Sequence, residues 1–351
     1  MEKRKVDLNY MTSSYKGKRA LLIGNGINQL DQAQSVSWGD LLDGLKRRFG
    51  IKVDLNNPFK PFPLGFEEML HRKNSNVEFQ RELRNLKQAI QDDIQRQLRG
   101  KTGYNEYHER IMRLGYSDVL TTNYDYALQK SVMSDFSNQK SRLALNKQET
   151  KFSLKRAYEL PEIDMRVWHI HGELYDSRNL KDTERYYHQE SIMIGYEHYA
   201  SYLEKIQDNY NGKRNSRRFE HQGLLTRIKQ NHPPLYWTDI FFTHHVDIIG
   251  QGLDFSENHL WWLLNQRANL MRVQTEASEF KINNEIHFYF PLFPEKELTE
   301  GDKLEDIIKE RNASDKEKGI GEVLEAFNVE PRPIACGSYE AFYERVIGEV
   351  G

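Results

Sequence analysis

Apolar positions along this chain follow two rhythms. Short unbroken runs with no helical period read as buried strands. They occur at residues 19–23, in SDVL before Thr121, around Val167–Ile170, at SIMI, at Val246–Ile249 and in NEIHFYFPLF. Longer stretches repeat every three or four residues and read as amphipathic helices. SWGDLLDGLKRRFG places Trp38, Leu41, Leu42, Leu45 and Phe49 at that spacing, with Ser37 as N-cap and Gly50 as terminator. A mostly polar helical pattern covers Phe66 to about Leu98, interrupted near 74–76, and a shorter one spans Asn105–Leu114. Helices are also predicted after Asp125, in YEHYASYLEKI, through Trp261 and Trp262, and at 338–347. TDIFFT fits helix or strand. Residues 51–64, rich in Asn and Pro, read as loop, and 131–163 read as irregular and polar.

Strands alternating with helices predict an α/β fold, a Rossmann-like and mostly parallel sheet covered by helices. No linker divides the 351 residues. The expectation is one domain over 15–350, with insertions at about 50–114, 131–163 and 175–235 and an N-terminal tail at 1–14. A net charge of −2 neither demands nor forbids a polyanionic partner. The single cysteine, Cys336, excludes an intrachain disulfide and any multi-cysteine zinc site, and reads as a buried small hydrophobe. With no apolar leader and no run of membrane-spanning length, the expected location is the cytoplasm.

Ligands of open parallel sheets bind beyond the carboxyl ends of the strands. Four predicted strands end there in polar or glycine-rich turns: Gly24-Asn25-Gly26-Ile27-Asn28, Thr121-Thr122-Asn123-Tyr124-Asp125, His169-Ile170-His171-Gly172-Glu173 and Gly250-Gln251-Gly252. Glycines at a strand end let backbone approach a phosphate. GNGINQ lacks the third glycine of the dinucleotide fingerprint and has no clear ribose-binding acid about twenty residues on. The signal lies in four such turns gathered by one fold.

The order GNGIN, TTNYD, HG, IIGQG resembles the sirtuin superfamily in its bacterial NAD-hydrolysing branch, and SWGDLL and GLDFSENHLWWLL resemble sirtuin-like proteins of anti-phage defence. The matching motifs run from about residue 20 to 264. Sirtuin deacylases carry a four-cysteine zinc module, which this chain cannot build. Helical insertions would replace it. The resemblance therefore implies NAD+ glycohydrolase activity without zinc, giving nicotinamide and ADP-ribose, with NAD+ as substrate, and abortive infection by NAD+ depletion. It implies Asn123 and His171 as catalytic residues. It implies contacts to the dinucleotide from Gly24, Asn25, Gly26, Ile27, Asn28, Thr122, Asp125, Gly250 and Gly252. It also implies a homo-oligomer, and for some relatives a HerA-type DNA-translocating ATPase as partner.

Plainer roles stand beside these. Asn123 could cap the following helix, and Asp125 could be an ordinary first-turn acid. Asn25 and Asn28 could only shape their turn. His169 reads as structural, Asp254 and Glu257 as caps of the Trp261 helix, and Trp261 and Trp262 as core. Two other classes remain open. One is a metal-dependent hydrolase using His169 and His171 of HIHG with His244, His245 and Asp247 of THHVD. The other is a non-catalytic nucleotide-binding subunit of a larger complex. Lys213, Arg214, Arg217 and Arg218 form either a solvated loop or a contact for nucleic acid or an acidic surface.

Overall fold

Four consecutive buried side chains in Arg19–Ile23 (β1) suit only a strand covered on both faces. In the computed structural model, which describes residues 18–30, 38–55, 60–73, 78–97, 103–145, 152–174, 192–213, 218–230, 233–275, 278, 281–293 and 315–351, β1 is the middle of a seven-stranded sheet. The other strands are β2 (Asp118–Thr121), β3 (Ala157–Leu160), β4 (Met165–His169), β5 (His245–Ile249), β6 (Ile286–Leu292) and β7 (Glu330–Ala335), in the order β3-β4-β2-β1-β5-β6-β7. Every pairing is parallel except β3 with β4. This is the expected Rossmann-like α/β architecture.

The helices are α1 (Trp38–Phe49), α2 (Phe62–Arg72), α3 (Phe79–Gln97), α4 (Glu106–Met112), α5 (Ala127–Val132), α6 (Phe136–Leu143), α7 (Tyr196–Asn211), α8 (Leu224–Lys229), α9 (Trp237–Thr243), α10 (Asn258–Val273), α11 (Asp315–Ala326) and α12 (Tyr339–Val350). Strand periodicity divides the core. Ala20, Leu22, Leu120, Trp168, Val246 and Ile248 face one side, under α7, α9 and α10. Leu21, Ile23, Val119, Val167 and Ile249 face the other, under α4, α5 and α12. A third cluster joins α1, α2 and α3 to Tyr124 and Leu174, which follow β2 and β4. That places the helical module beside the carboxyl ends of the sheet.

Several expectations change. Residues 131–163 are not wholly irregular: they hold α6 and β3, the latter too short and too close to the sheet edge to show a strand pattern. The loop expected over 51–64 ends early, because α2 begins at Phe62. Prolines 61 and 63 sit at its start, where a missing N–H costs nothing. SIMI is not a strand in its described part, since Ile192 and Ile194 pack into the third cluster instead of pairing. TDIFFT is helix. β7, EPRPIA, had no strand signature, because Pro331 and Pro333 forfeit ladder donors and are tolerated at an edge. Cys336 is buried, and Trp261 and Trp262 pack against the core. Ser37, Arg214, Arg217, the tail at 1–14 and residues 175–191 lie outside the described residues. Among the described residues, no helix is long and apolar enough to cross a membrane.

At the amino end of β2, buried Asp118 accepts hydrogen bonds from Trp168 Nε1 (2.8 Å) and Arg166 Nη2 (3.0 Å), with His244 Nε2 at 3.2 Å. Burial alone would raise its pKa. The His244 hydrogen bond and the Arg166 charge outweigh burial and hold the carboxyl well below its ordinary 3.8. A depressed folded-state pKa gives stability that is complete above the unfolded value and lost as pH falls through the folded one. Asp118→Ala, which leaves Trp168 without its acceptor and Arg166 without its counter-charge, should cost about 3–5 kcal/mol. Urea unfolding from pH 7 downward should show acid sensitivity below about pH 4 that is reduced in Asp118→Asn.

Candidate functional site

Register brings the four turns together. Ile23 pairs with Thr121 on one side and Ile249 on the other, and Thr121 pairs with His169. β1, β2, β4 and β5 therefore end level, and their turns open onto one cavity of about 480 Å³. Asn25, Gly26, Thr122, His171, Gly250 and Gly252 lie on its wall. Gly24, Ile27, Asn28, Asn123 and Asp125 do not.

The two glycine turns lean on each other through backbone. Gly24 N–H donates to Ile249 O (3.2 Å) and Gly26 N–H to Gly250 O (3.1 Å). A methyl group on Gly24 would stand 2.5 Å from Gly250 O and 2.9 Å from Gln251 Cα. Gly250 has φ +64° and faces the Tyr343 hydroxyl, so a side chain there is excluded twice over. The segment after Gly24 is a 3-10 helix, Asn25–Leu30. The amides of Gly24 and Gly26 are thus spent on the neighbouring turn. Tyr343 is fully buried, its hydroxyl has no hydrogen-bond partner, and burial pushes its pKa up.

Asn28 and Asp125 belong to a network behind the wall. Asn28 Nδ2 donates to Asn25 Oδ1 (3.0 Å) and Asp125 Oδ2 (2.8 Å), while His108 Nε2 lies 2.9 Å from Asn28 Oδ1. Asn105 N–H donates to His108 Nδ1, which leaves Nε2 as the donor to Asn28. Burial lowers the His108 pKa to about 3 and keeps the ring neutral. Asp125 Oδ1 accepts the Ala127 N–H (2.9 Å), so it is this acid, not Asn123, that serves the start of α5. Withdrawal from water raises the Asp125 pKa.

Asn123 is buried one residue beyond Thr122. Its Nδ2 donates to Gly24 O (3.2 Å), and its Oδ1 has no partner. His169 holds it from beneath: Nδ1 donates to Asn123 O (3.2 Å), and Nε2 sits 2.7 Å from Gln129 Nε2, which then donates. Burial lowers the His169 pKa to about 4, as fits a neutral structural histidine.

The His171-Gly172-Glu173 turn is pinned on both sides. Met193 N–H donates to His171 O (2.8 Å), Gly172 has φ +93°, and Glu173 Oε2 accepts from Tyr158 (2.6 Å) and Tyr126 (2.7 Å). Burial would raise Glu173, but the charges of Lys140, His169 and Arg156 and the Tyr158 hydroxyl outweigh it and bring the pKa to about 2.

His171 meets two residues that sequence reasoning gave other roles or none. Its Nε2 is 3.0 Å from His259 Nε2 and 3.3 Å from Glu257 Oε2. Glu257 occupies the N-cap position of α10, but its side chain makes no cap bond and turns into the cavity. Asp254 shapes the turn before it through Oδ1 to Ser256 N–H (2.9 Å). Gln251 bridges Thr122 Oγ1 (3.2 Å) to Glu257 Oε1 (3.2 Å). The signal that could have found the pair is the spacing in SENHL: an acid and a histidine two apart at a helix start following a glycine turn.

The ligand set expected of an HIHG–THHVD metallohydrolase does not assemble. His169 is committed to Asn123 and Gln129, His244 lies against Asp118, and Asp247 pairs with Arg19 (3.0 Å) and His287 (3.1 Å). Comparison with protein-family models and with curated proteins finds no match to this chain.

The glycines make separable demands. Gly24→Ala should cost on the order of 1–3 kcal/mol through backbone overlap and disturb the cavity. Gly252→Ala, with nothing within 4 Å of the added carbon, should leave thermal stability within about 0.5 kcal/mol of the parent. Thermal melts of the two variants check the contrast.

Proposed function

We propose that this protein cleaves the nicotinamide–ribose bond of NAD+ with water as acceptor, releasing nicotinamide and ADP-ribose. The observation that supports this reading best is the convergence of two glycine turns, Thr122 and His171 on one cavity at the carboxyl ends of four level strands. The leaving group is already cationic, so the reaction needs no strong general acid. What it needs is a held pyrophosphate, a positioned ribose and an oriented nucleophile against an oxocarbenium-like centre. With the Gly24 and Gly26 amides spent, phosphate contact falls to the outer residues of the turns, and Gly252 leaves open space for it. Asn123 Oδ1 lies buried and unpartnered behind the Thr122 wall, and its role as neutral acceptor for a ribose hydroxyl or the attacking water is carried by the resemblance. His171 supplies the base. In this reading NAD+ is substrate, and the cleavage uses no zinc.

Asn123→Ala and His171→Ala should each lower nicotinamide release by about a hundredfold or more while the chain stays folded. His169→Ala should be milder on activity and harsher on stability, because its ring touches the Asn123 backbone and not the cavity. Chromatographic assay of nicotinamide beside circular dichroism separates the two effects. Release that requires an acetyl-lysine peptide would replace hydrolysis with deacylation.

The setting follows the resemblance. The protein acts in the cytoplasm as an anti-phage effector, a homo-oligomer whose turnover rises with a partner such as a HerA-type ATPase or with an infection signal, because unrestrained NAD+ hydrolysis would drain its own cell. Light scattering should give a mass above 41.6 kDa, and turnover should increase when the partner is added. A monomer at full unstimulated activity is the opposing result.

A further inference from the structure

At the cavity floor three electron-pair donors face one another. His171 Nε2 and His259 Nε2 are 3.0 Å apart, and Glu257 Oε2 is 3.3 Å from the first and 3.8 Å from the second. One proton can lie between the two nitrogens. Glu257 Oε2 makes no hydrogen bond, and neither does His259 Nδ1. With the proton on His259, the lone pairs of His171 Nε2 and Glu257 Oε2 stand opposed at 3.3 Å, an arrangement that costs free energy until a cation is placed among them.

We propose that His171, Glu257 and His259 form a binding site for a divalent transition-metal cation, with zinc as the best fit. Three ligands at about 2.0–2.1 Å from a tetrahedral zinc stand roughly 3.3–3.4 Å from one another. The observed edges bracket that value. Two imidazoles and one carboxylate suit zinc and its neighbours, whereas calcium and magnesium take oxygen sets. His259 is fully buried beneath the site, and His171 and Glu257 line the cavity, so the fourth position opens toward it. Outer contacts are in place for the carboxylate, while His259 Nδ1 has no acceptor. Gln251 Nε2 holds Glu257 Oε1 and leaves Oε2 inward, while Tyr199 and Tyr202 pack against the imidazoles.

This site has a consequence for the NAD+ reading but does not rest on it. A cation bound to Nε2 of His171 removes that lone pair from proton transfer. Metal binding and a base role through that atom exclude each other, and the loaded protein would be a resting form.

Chelator-stripped full-length protein, titrated with zinc against a chromophoric competitor and separately with Co2+, tests the proposal. One equivalent of zinc and a tetrahedral Co2+ visible spectrum are expected in the parent. Glu257→Gln should weaken zinc by at least about a hundredfold, more than loss of an outer-shell partner does, and remove the Co2+ bands. His259→Gln should do the same where circular dichroism shows it folded. His245→Gln, altering a histidine at the opposite end of β5, should bind as the parent does. Absence of stoichiometric zinc in the parent, or undiminished binding by Glu257→Gln, overturns the site. Either failure leaves nicotinamide release, measured on the same stripped protein, as an independent result.

Discussion

The contact on which the site depends is backbone against backbone, where the turn after β1 meets the turn after β5. Gly24 and Gly26 donate to Ile249 and Gly250, and no side chain fits between them. That closeness fixes how the cavity edge is built. It spends two amides that a phosphate could otherwise claim. It also brings Gln251 to Thr122 and Glu257, linking β2, β5 and the start of α10. The level strand ends then follow from register, since β1 pairs with both neighbours through the same residues, Ala20–Ile23.

Rigidity beneath the cavity comes from charge as much as from packing. Glu173, two residues after His171, is a buried carboxylate satisfied by two tyrosine hydroxyls and flanked by Lys140 and Arg156. Breaking such a pair by removing one partner strands a charge away from water, which is far costlier than any surface ion pair. The network therefore fixes the His-Gly turn in place, and His169 does the same for Asn123. In the proposed reaction, a reacting group displaced by about an ångström would lose much of its effect. Buried polar residues with no catalytic contact thus have a reason to surround this turn.

Much of this was legible in the chain. The unbroken runs RALLI and HVDII announced buried parallel strands, and the glycine and polar turns announced which loops meet at the cavity. What escaped had physical causes. β7 hides behind two prolines that only an edge strand tolerates, and β3 is four residues long. α2 begins among prolines that read as loop. At the site, local rules misled. Glu257 at a helix start is an ordinary cap by sequence, and only the approach of α10 to β4 turns it toward His171. His259 carries no signal of its own, because a histidine in an apolar helix is more often core than ligand. Asn28 and Asp125, expected as dinucleotide contacts, hydrogen-bond to each other, and Asn28 to His108, across 97 and 80 residues of chain.

The remaining question at the floor of the cavity concerns one atom. Nε2 of His171 lies within contact of a second imidazole and a carboxylate, and all three present lone pairs. When His171 donates its Nε2 proton to His259, its Nδ1 is left bare and Glu257 stands beside a polarised N–H. When the proton sits on His259, two lone pairs of His171 and Glu257 oppose each other at 3.3 Å. The second arrangement would be relieved by a cation. A proton or a cation placed among these three groups would occupy the same small volume. A cation at the proposed site would take the Nε2 lone pair of His171 that the proposed base role needs.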